Sequence, residues 1–187
     1  MALSEDPLVE AAWLLERLPQ GGIVPLDATW FFPFEERDAH AEHQARRIPG
    51  AVFFDIDAVA ESPQGLPHML PSPAAFGAAV GALGVGQDDL VVVYESGPPR
   101  SAARAWWSFR AMGHDAVRVL DGGLLAWIAA GGPLESGPAT RPPRPFRALS
   151  RPHLLADIAT IRSMVARGEG QILDARPAAR FRGEAPE

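Results

Sequence analysis

Two rhythms of apolar residues alternate along the chain. Across residues 8–18 they recur at helical spacing, with Leu8, Ala11, Ala12, Leu15 and Leu18 on one face, until Gln20-Gly21-Gly22 stops the pattern. Residues 23–26 form an unbroken apolar run that closes on Asp27 and predicts a buried strand. Residues 35–46 are polar and predict a helix, and residues 51–54 predict a second strand. Residues 73–83, small and with proline in the first turn, predict a helix that Gly84 ends. The clearest strand is Leu90-Val91-Val92-Val93-Tyr94, a β-branched run suited to a parallel strand covered on both faces. A helix over 101–112, with Ser101 as its cap, a strand over 116–120, a Gly122-Gly123 turn and a short helix over 124–130 complete the series. Strands alternating with helices predict an α/β fold, a parallel sheet with helices on both faces.

Residues 131–147 are rich in Pro, Gly and Arg and read as an interdomain linker. A helix is predicted over 153–167. Gln171-Ile172-Leu173-Asp174-Ala175 then repeats the texture of Ile23-Val24-Pro25-Leu26-Asp27-Ala28, with Asp174 standing 147 residues after Asp27. The expected layout is a domain over 1–137, a linker over 138–150, and over 151–187 the first helix and strand of a second, incomplete repeat. A piece of about 37 residues cannot bury a sufficient core. The remainder of a second domain is therefore an expected partner, and the chain reads as part of a longer protein.

Composition narrows the chemistry. Of 187 residues, 47% are hydrophobic, which is enough for a packed core, and the net charge is −6 with no dense Lys/Arg block, which argues against a nucleic-acid surface. There is no apolar run of ~18 residues, so no membrane span is predicted. The start of the chain is polar and acidic, and Glu10, Glu16 and Arg17 interrupt the apolar pattern after it. It does not read as a signal peptide, and the cytoplasm is the expected location. The chain has no cysteine, which excludes disulfides, cysteine metal sites and a cysteine nucleophile within these residues.

Four segments carry a resemblance. Arg47-Ile48-Pro49-Gly50-Ala51-Val52-Phe53-Phe54-Asp55-Ile56-Asp57 is similar to an extended "H-I-P-G-A" signature. Val91-Val92-Val93-Tyr94 is similar to a strand entering an active loop. Ser101-Ala102-Ala103-Arg104-Ala105-Trp106-Trp107 is similar to the helix behind that loop, and Leu120-Asp121-Gly122-Gly123-Leu124-Leu125-Ala126-Trp127 to a closing motif. In this order they resemble the tandem-domain rhodaneses, the thiosulfate and 3-mercaptopyruvate sulfurtransferases, over about residues 8–137 and again from about 153. The resemblance implies a cysteine thiolate at the start of a strand-to-helix loop. It takes sulfane sulfur from a small anionic donor, thiosulfate or 3-mercaptopyruvate, as a persulfide and passes it to a thiol or cyanide. No metal or organic cofactor is implied. Backbone N–H groups around a helix N-terminus suit a thiolate.

The departures matter as much. The loop here is Glu95-Ser96-Gly97-Pro98-Pro99-Arg100, and Ser96 stands at the cysteine position. A serine without a base is a poor nucleophile and carries no stable persulfide. Pro98 and Pro99 remove two N–H donors, and Glu95 adds a negative charge. Arg47 replaces the signature histidine without an evident catalytic purpose. The first domain is expected to be silent, and the nucleophile to lie in the second domain near residue ~243, the Ser96 position carried forward by the repeat. A cationic loop there would favour thiosulfate as donor. The resemblance assigns Arg180 a contact with the anionic donor, for which a guanidinium fork is suited. Arg176 and Arg182 read as surface pairs.

Other candidates read as structural. His40 and His43, with Asp38 and Glu42, fit a polar solvated helix better than a metal site. Ser96 and Ser101 lack the Gly-x-Ser-x-Gly context of a hydrolase. Arg100, Arg104 and Arg110 could form an anion patch, although Arg104 and Arg110 read first as intrahelical or interdomain pairs. Trp106, Trp107 and Trp127 read as core or interface, and Tyr94 as packing. The alternative to an enzyme is a cysteine-free rhodanese-like module with a binding or regulatory role and no catalysis.

Overall fold

The protein is described by a computed structural model covering residues 6–61, 65–98 and 100–185. It divides into two compact units, residues 1–151 and 152–187. In the first unit the elements are β1 (Leu8–Val9), α1 (Ala11–Arg17), β2 (Ile23–Asp27), α2 (Ala39–Ala45), β3 (Val52–Phe53), α3 (Ile56–Val59), α4 (Pro73–Ala82), β4 (Leu90–Tyr94), α5 (Ser101–Ala111), β5 (Val117–Leu120) and α6 (Gly123–Ala129). The strands form one sheet in the order β1-β5-β4-β2-β3, every pair parallel.

Side chains alternate across a strand, and β4 shows the consequence. Val91 and Val93 join a core with Phe76 and Val80 of α4 and Ala105 and Phe109 of α5. Val92 and Tyr94 join a second core with Leu14 of α1 and Leu124 and Trp127 of α6. The unbroken apolar run is therefore the mark of a central strand buried on both faces, and the expected α/β fold is the one observed.

The start of the chain differs from expectation. Residues 8–9 form an edge strand rather than the first turn of a helix. The Val119 N–H donates to Pro7 O and the Asp121 N–H to Val9 O, at 2.8 and 2.9 Å, so ladder bonds to β5 win over local helical spacing. The helix after this strand buries Ala11 and Leu14, and Ala12 is exposed.

Residues 138–150, expected as a linker, have no regular secondary structure and lie on the first unit as a strap. Gly77 and Gly81 of α4 make room for it, because a Cβ there would stand 2.8 Å from Phe146 O and 2.5 Å from Arg144 O. The Arg144 N–H donates to Gly81 O at 2.9 Å, and its guanidinium meets Asp89 at 2.5 Å. Phe146 packs on Phe76, Phe109 and His114. Arg151 closes the strap with a two-pronged bond to Asp115, at 2.7 and 2.6 Å.

Arg47 has a structural purpose. It is fully buried, and its guanidinium donates to Gly137 O and to Glu135 Oε1, the latter at 2.6 Å. The other Glu135 oxygen accepts the Gly50 N–H at 2.7 Å. That N–H first, and then Arg47, hold the Glu135 carboxyl below its usual range. The arginine thus ties the signature turn to the chain leaving α6.

In the second unit α7 (Ile158–Arg167) forms inside the expected helix, followed by the short α8 (Ala178–Phe181). The strand expected at 171–175 does not form; Ile172 and Leu173 are 53% and 89% exposed and pair with no strand. Among the described residues no helix is long and apolar enough to cross a membrane.

Two outcomes are expected. Arg47→Ala should cost about 3 kcal/mol, because it strands a buried network, and an unchanged urea midpoint would refute that role. A chain cut after Gly137 should melt about 5 °C or more below one cut after Arg151 in calorimetry; equal melting would make the strap a passenger.

Candidate functional site

In an open parallel sheet, ligands gather outside the carboxyl ends of the strands where the winding direction reverses. Here the chain runs outward from β2 to β3, then returns to place β4 on the other side of β2. The reversal lies between β2 and β4, so the loops after Asp27 and after Tyr94 meet there.

Asp27, almost fully buried at the end of β2, organises that meeting. One carboxylate oxygen accepts the Thr29 hydroxyl at 2.5 Å and the Thr29 N–H at 3.0 Å. The other meets His43 Nδ1 at 2.9 Å. The Thr29 hydroxyl in turn accepts the Ser96 N–H at 3.0 Å. His43 is thus buried against a carboxylate rather than on a solvated helix face. His40 is exposed beside it, and among the described residues no group of three metal-ligating side chains exists.

The loop after β4 is held by Glu95. The Glu95 carboxylate, buried, accepts the Ala102 N–H in the first turn of α5 at 2.6 Å, while Arg100 approaches it only to 3.5 Å. Burial pushes the Glu95 carboxyl up, against the pull of that N–H and of Arg100. The Glu95 carbonyl accepts the Leu124 N–H at 2.9 Å. Gly123 is needed for that approach: a Cβ there would lie 2.3 Å from the Glu95 oxygen, and its φ is +58°. Glu95 thus takes the Ala102 N–H with its carboxylate and the Leu124 N–H with its carbonyl. Ser96 is held through its backbone N–H on the Thr29 hydroxyl. Pro99 lies outside the described residues.

Beside this loop is a pocket of about 230 Å³ lined by Trp30, Ile56, His68, Arg100, Ser101 and Arg104. His68 Nε2 meets Asp57 Oδ1 at 2.5 Å, and the Trp30 indole N–H donates to Asp57 Oδ2 at 2.9 Å. His68 has φ +57°, in the left-handed region, and its carbonyl accepts from Arg104. The imidazole is half-exposed and held by this carboxylate. Sequence reading missed His68; it lies in a proline-rich loop without periodic pattern, and only the partner distance and the backbone angle reveal it.

The remaining candidates are spread out. Arg104 stacks over Trp107 and Arg110 over Trp106, at 4.7 and 5.8 Å, as intrahelical contacts, and Arg110 also reaches Asp115 at 3.4 Å. Trp127 is buried, with its indole N–H on Pro133 O at 2.8 Å. Tyr94 is buried in the core, and burial, followed by the Asp27 charge, raises its phenol well above the usual range. In the second unit Arg176 pairs with Asp174 and Arg182 with Glu184, at 2.7 and 2.8 Å, whereas Arg180 is exposed in α8.

Comparison with known proteins accords with this geometry. A Rhodanese-like domain profile matches residues 10–130. The thiosulfate/3-mercaptopyruvate sulfurtransferase 2 of Arabidopsis thaliana is 39% identical over 98% of this chain and 60% of its own length. The human 3-mercaptopyruvate sulfurtransferase is 41% identical over 96% of this chain and 63% of its own. The crystal structure of SseA from Escherichia coli, described as a 3-mercaptopyruvate sulfotransferase, superposes with a TM-score of 0.89 at 39% identity, covering 96% of this chain and 69% of that one. The chain thus spans about 60% of the length of the first two relatives. A matched domain over most of the first unit, and likeness in sequence and fold across nearly the whole chain, place this protein in the rhodanese family.

Proposed function

We propose that these residues are the front of a sulfurtransferase whose persulfide-forming cysteine belongs to the second domain. The observation that carries this reading is the loop at Ser96: in a fold shared with sulfurtransferases, the strand-to-helix loop has no thiol and its helix N-terminus is occupied by Glu95. The cysteine thiolate would attack the outer sulfur of thiosulfate or the sulfur of 3-mercaptopyruvate, releasing sulfite or the enolate of pyruvate and leaving a cysteine persulfide. A thiol or cyanide would then take the terminal sulfur and restore the thiolate. Arg180, exposed and, among the described residues, without the carboxylate partner that Arg176 and Arg182 have, is the residue we assign to the donor's anionic end.

The 187-residue chain is expected to transfer no sulfur above background. A chain extended through the rest of the second domain should turn over 3-mercaptopyruvate or thiosulfate, and a cysteine-to-serine change near residue ~243 should abolish this. Arg180→Ala in the extended chain should raise KM about tenfold or more. Sulfur transfer by the 187 residues alone would overturn the reading. An extended chain without cysteine or activity would favour the binding module.

The same loop gives a pH signature. Because burial raises the Glu95 carboxyl, its contribution to stability is present below the ordinary carboxylate value and is lost as pH rises through the raised one. Glu95→Gln keeps an acceptor for the Ala102 N–H without the charge. It should be at least as stable as the parent at pH 7, with the difference closing as pH falls toward about 4. A variant clearly less stable at pH 7 would show that the helix N-terminus and Arg100 outweigh burial.

A further inference from the structure

Another pocket lies beside β3, the edge strand of the sheet, and shares no residue with the pocket beside α5. It measures about 300 Å³ and is walled by His40, His43 and Gln44 of α2, by Phe53 of β3, by the end of α4, and by Thr140 and Arg141 of the strap. Two of its groups lack what they need. His43 is 3% exposed, and its Nδ1 meets Asp27 at 2.9 Å. A carboxylate only accepts, so Nδ1 carries the ring proton and Nε2 presents a lone pair. That Nε2 is buried and has no hydrogen-bond partner, which is costly away from water. Arg141 is half-buried, and among the described residues no carboxylate pairs with it.

The protein's own contacts fix these walls. The Gly137 N–H donates to Gln44 O at 2.8 Å and Arg47 donates to Gly137 O, which ties the strap to α2 beside the pocket. Gly84, after α4, admits the stem of Arg141: a Cβ there would stand 2.5 Å from the Arg141 Cβ. The two unmet groups make different demands. Arg141 calls for anionic oxygen, and His43 Nε2 calls for a donor. Carboxylates are ionised at neutral pH and offer acceptors only. A phosphate monoester gives up its second proton near pH ~6, close to the imidazole range, so one proton can lie between a phosphate oxygen and Nε2. The charged and titratable groups near His43 are Asp27 of β2, Arg47, whose guanidinium reaches the His43 carbonyl at 3.4 Å, Glu135 paired with Arg47, and His40 and Arg141 on the pocket walls. Both carboxylates are already engaged, Asp27 by Thr29 and His43, and Glu135 by Arg47 and the Gly50 N–H.

We propose that this pocket binds the phosphate group of a small phosphate monoester, with ionised oxygens on Arg141, one proton shared with His43 Nε2, and the carbon part against Phe53. A planar guanidinium presents paired N–H donors that suit phosphate oxygens. The pocket lies wholly within the first unit and binding is measured without turnover, so the proposal stands or falls apart from sulfur transfer.

Proton–nitrogen NMR of the histidine rings in the 187-residue chain tests it, at matched ionic strength. The probes are glycerol 3-phosphate, inorganic phosphate as the bare group, and sulfate as the same shape without a proton to share. Glycerol 3-phosphate should move the His43 Nε2 resonance saturably, with inorganic phosphate about threefold weaker and sulfate about tenfold weaker or more. Arg141→Gln should weaken the monoester about tenfold, while Arg147→Gln, further along the strap, leaves it unchanged. His43→Gln should also weaken it; that change removes a partner of Asp27, and Arg141→Gln keeps the test open if the variant fails to fold. Absence of a saturable shift at His43, equal binding of sulfate, tighter binding of inorganic phosphate than of the monoester, or binding indifferent to Arg141→Gln would each overturn the proposal.

Discussion

The first unit depends on one buried carboxylate. Asp27 ends the central strand β2, where its backbone carbonyl takes the Phe54 N–H beyond β3 at 2.7 Å and its side chain takes Thr29 and His43. Through Thr29 it also fixes the Ser96 N–H beyond β4. Three loops at the carboxyl end of the sheet are set by this one group, and β2 holds it in place by pairing along its length with β4. A carboxylate so enclosed is tolerable only because it is satisfied at both oxygens, which makes the network an all-or-nothing feature of the fold. The loop positions, and with them the pocket beside α5, depend on it.

The same order extends to the loop after β4. The loop after β4 retains its course because the Glu95 backbone and side chain take the Leu124 and Ala102 N–H groups. Those two donors, taken by a covalently attached acceptor, are closed to an incoming anion. An internal carboxylate keeps the helix end satisfied without a ligand.

Much of this was legible in the sequence, and the exceptions have physical causes. β4, α5 and the parallel alternation were readable because burial on two faces leaves an unbroken apolar run and burial on one leaves a helical stripe. Leu8 and Val9 fit the helical stripe by spacing, yet the open edge of β5 claims their backbone. The strap was unreadable as a strap because Pro, Gly and Arg serve a free linker and a docked one equally. What distinguishes them is the position of Phe146 against Phe109 and the two glycines of α4 that admit a backbone, facts of three dimensions. Arg47 looked like a lost histidine because its partners, Glu135 and Gly137, lie some 90 residues away in sequence. Ser96 was placed at its loop by motif order, while His68 and its Asp57 partner carry no local pattern.

The contrast between the two Leu-Asp-Ala segments shows where such reading stops. At residues 26–28 the triplet ends a strand with β3 on one side and β4 on the other, and Leu26 is fully buried. At residues 173–175 the same triplet pairs with no strand, and Leu173 stands 89% exposed. α7 forms in the same unit because its hydrogen bonds close within itself and Asp157 caps it by accepting the Thr160 N–H at 2.7 Å. A helix closes its backbone hydrogen bonds within one segment; a strand needs the strands beside it, since its ladder hydrogen bonds run to its neighbours. The triplet thus carries a potential for pairing, and the first unit shows what that potential becomes when neighbours are present.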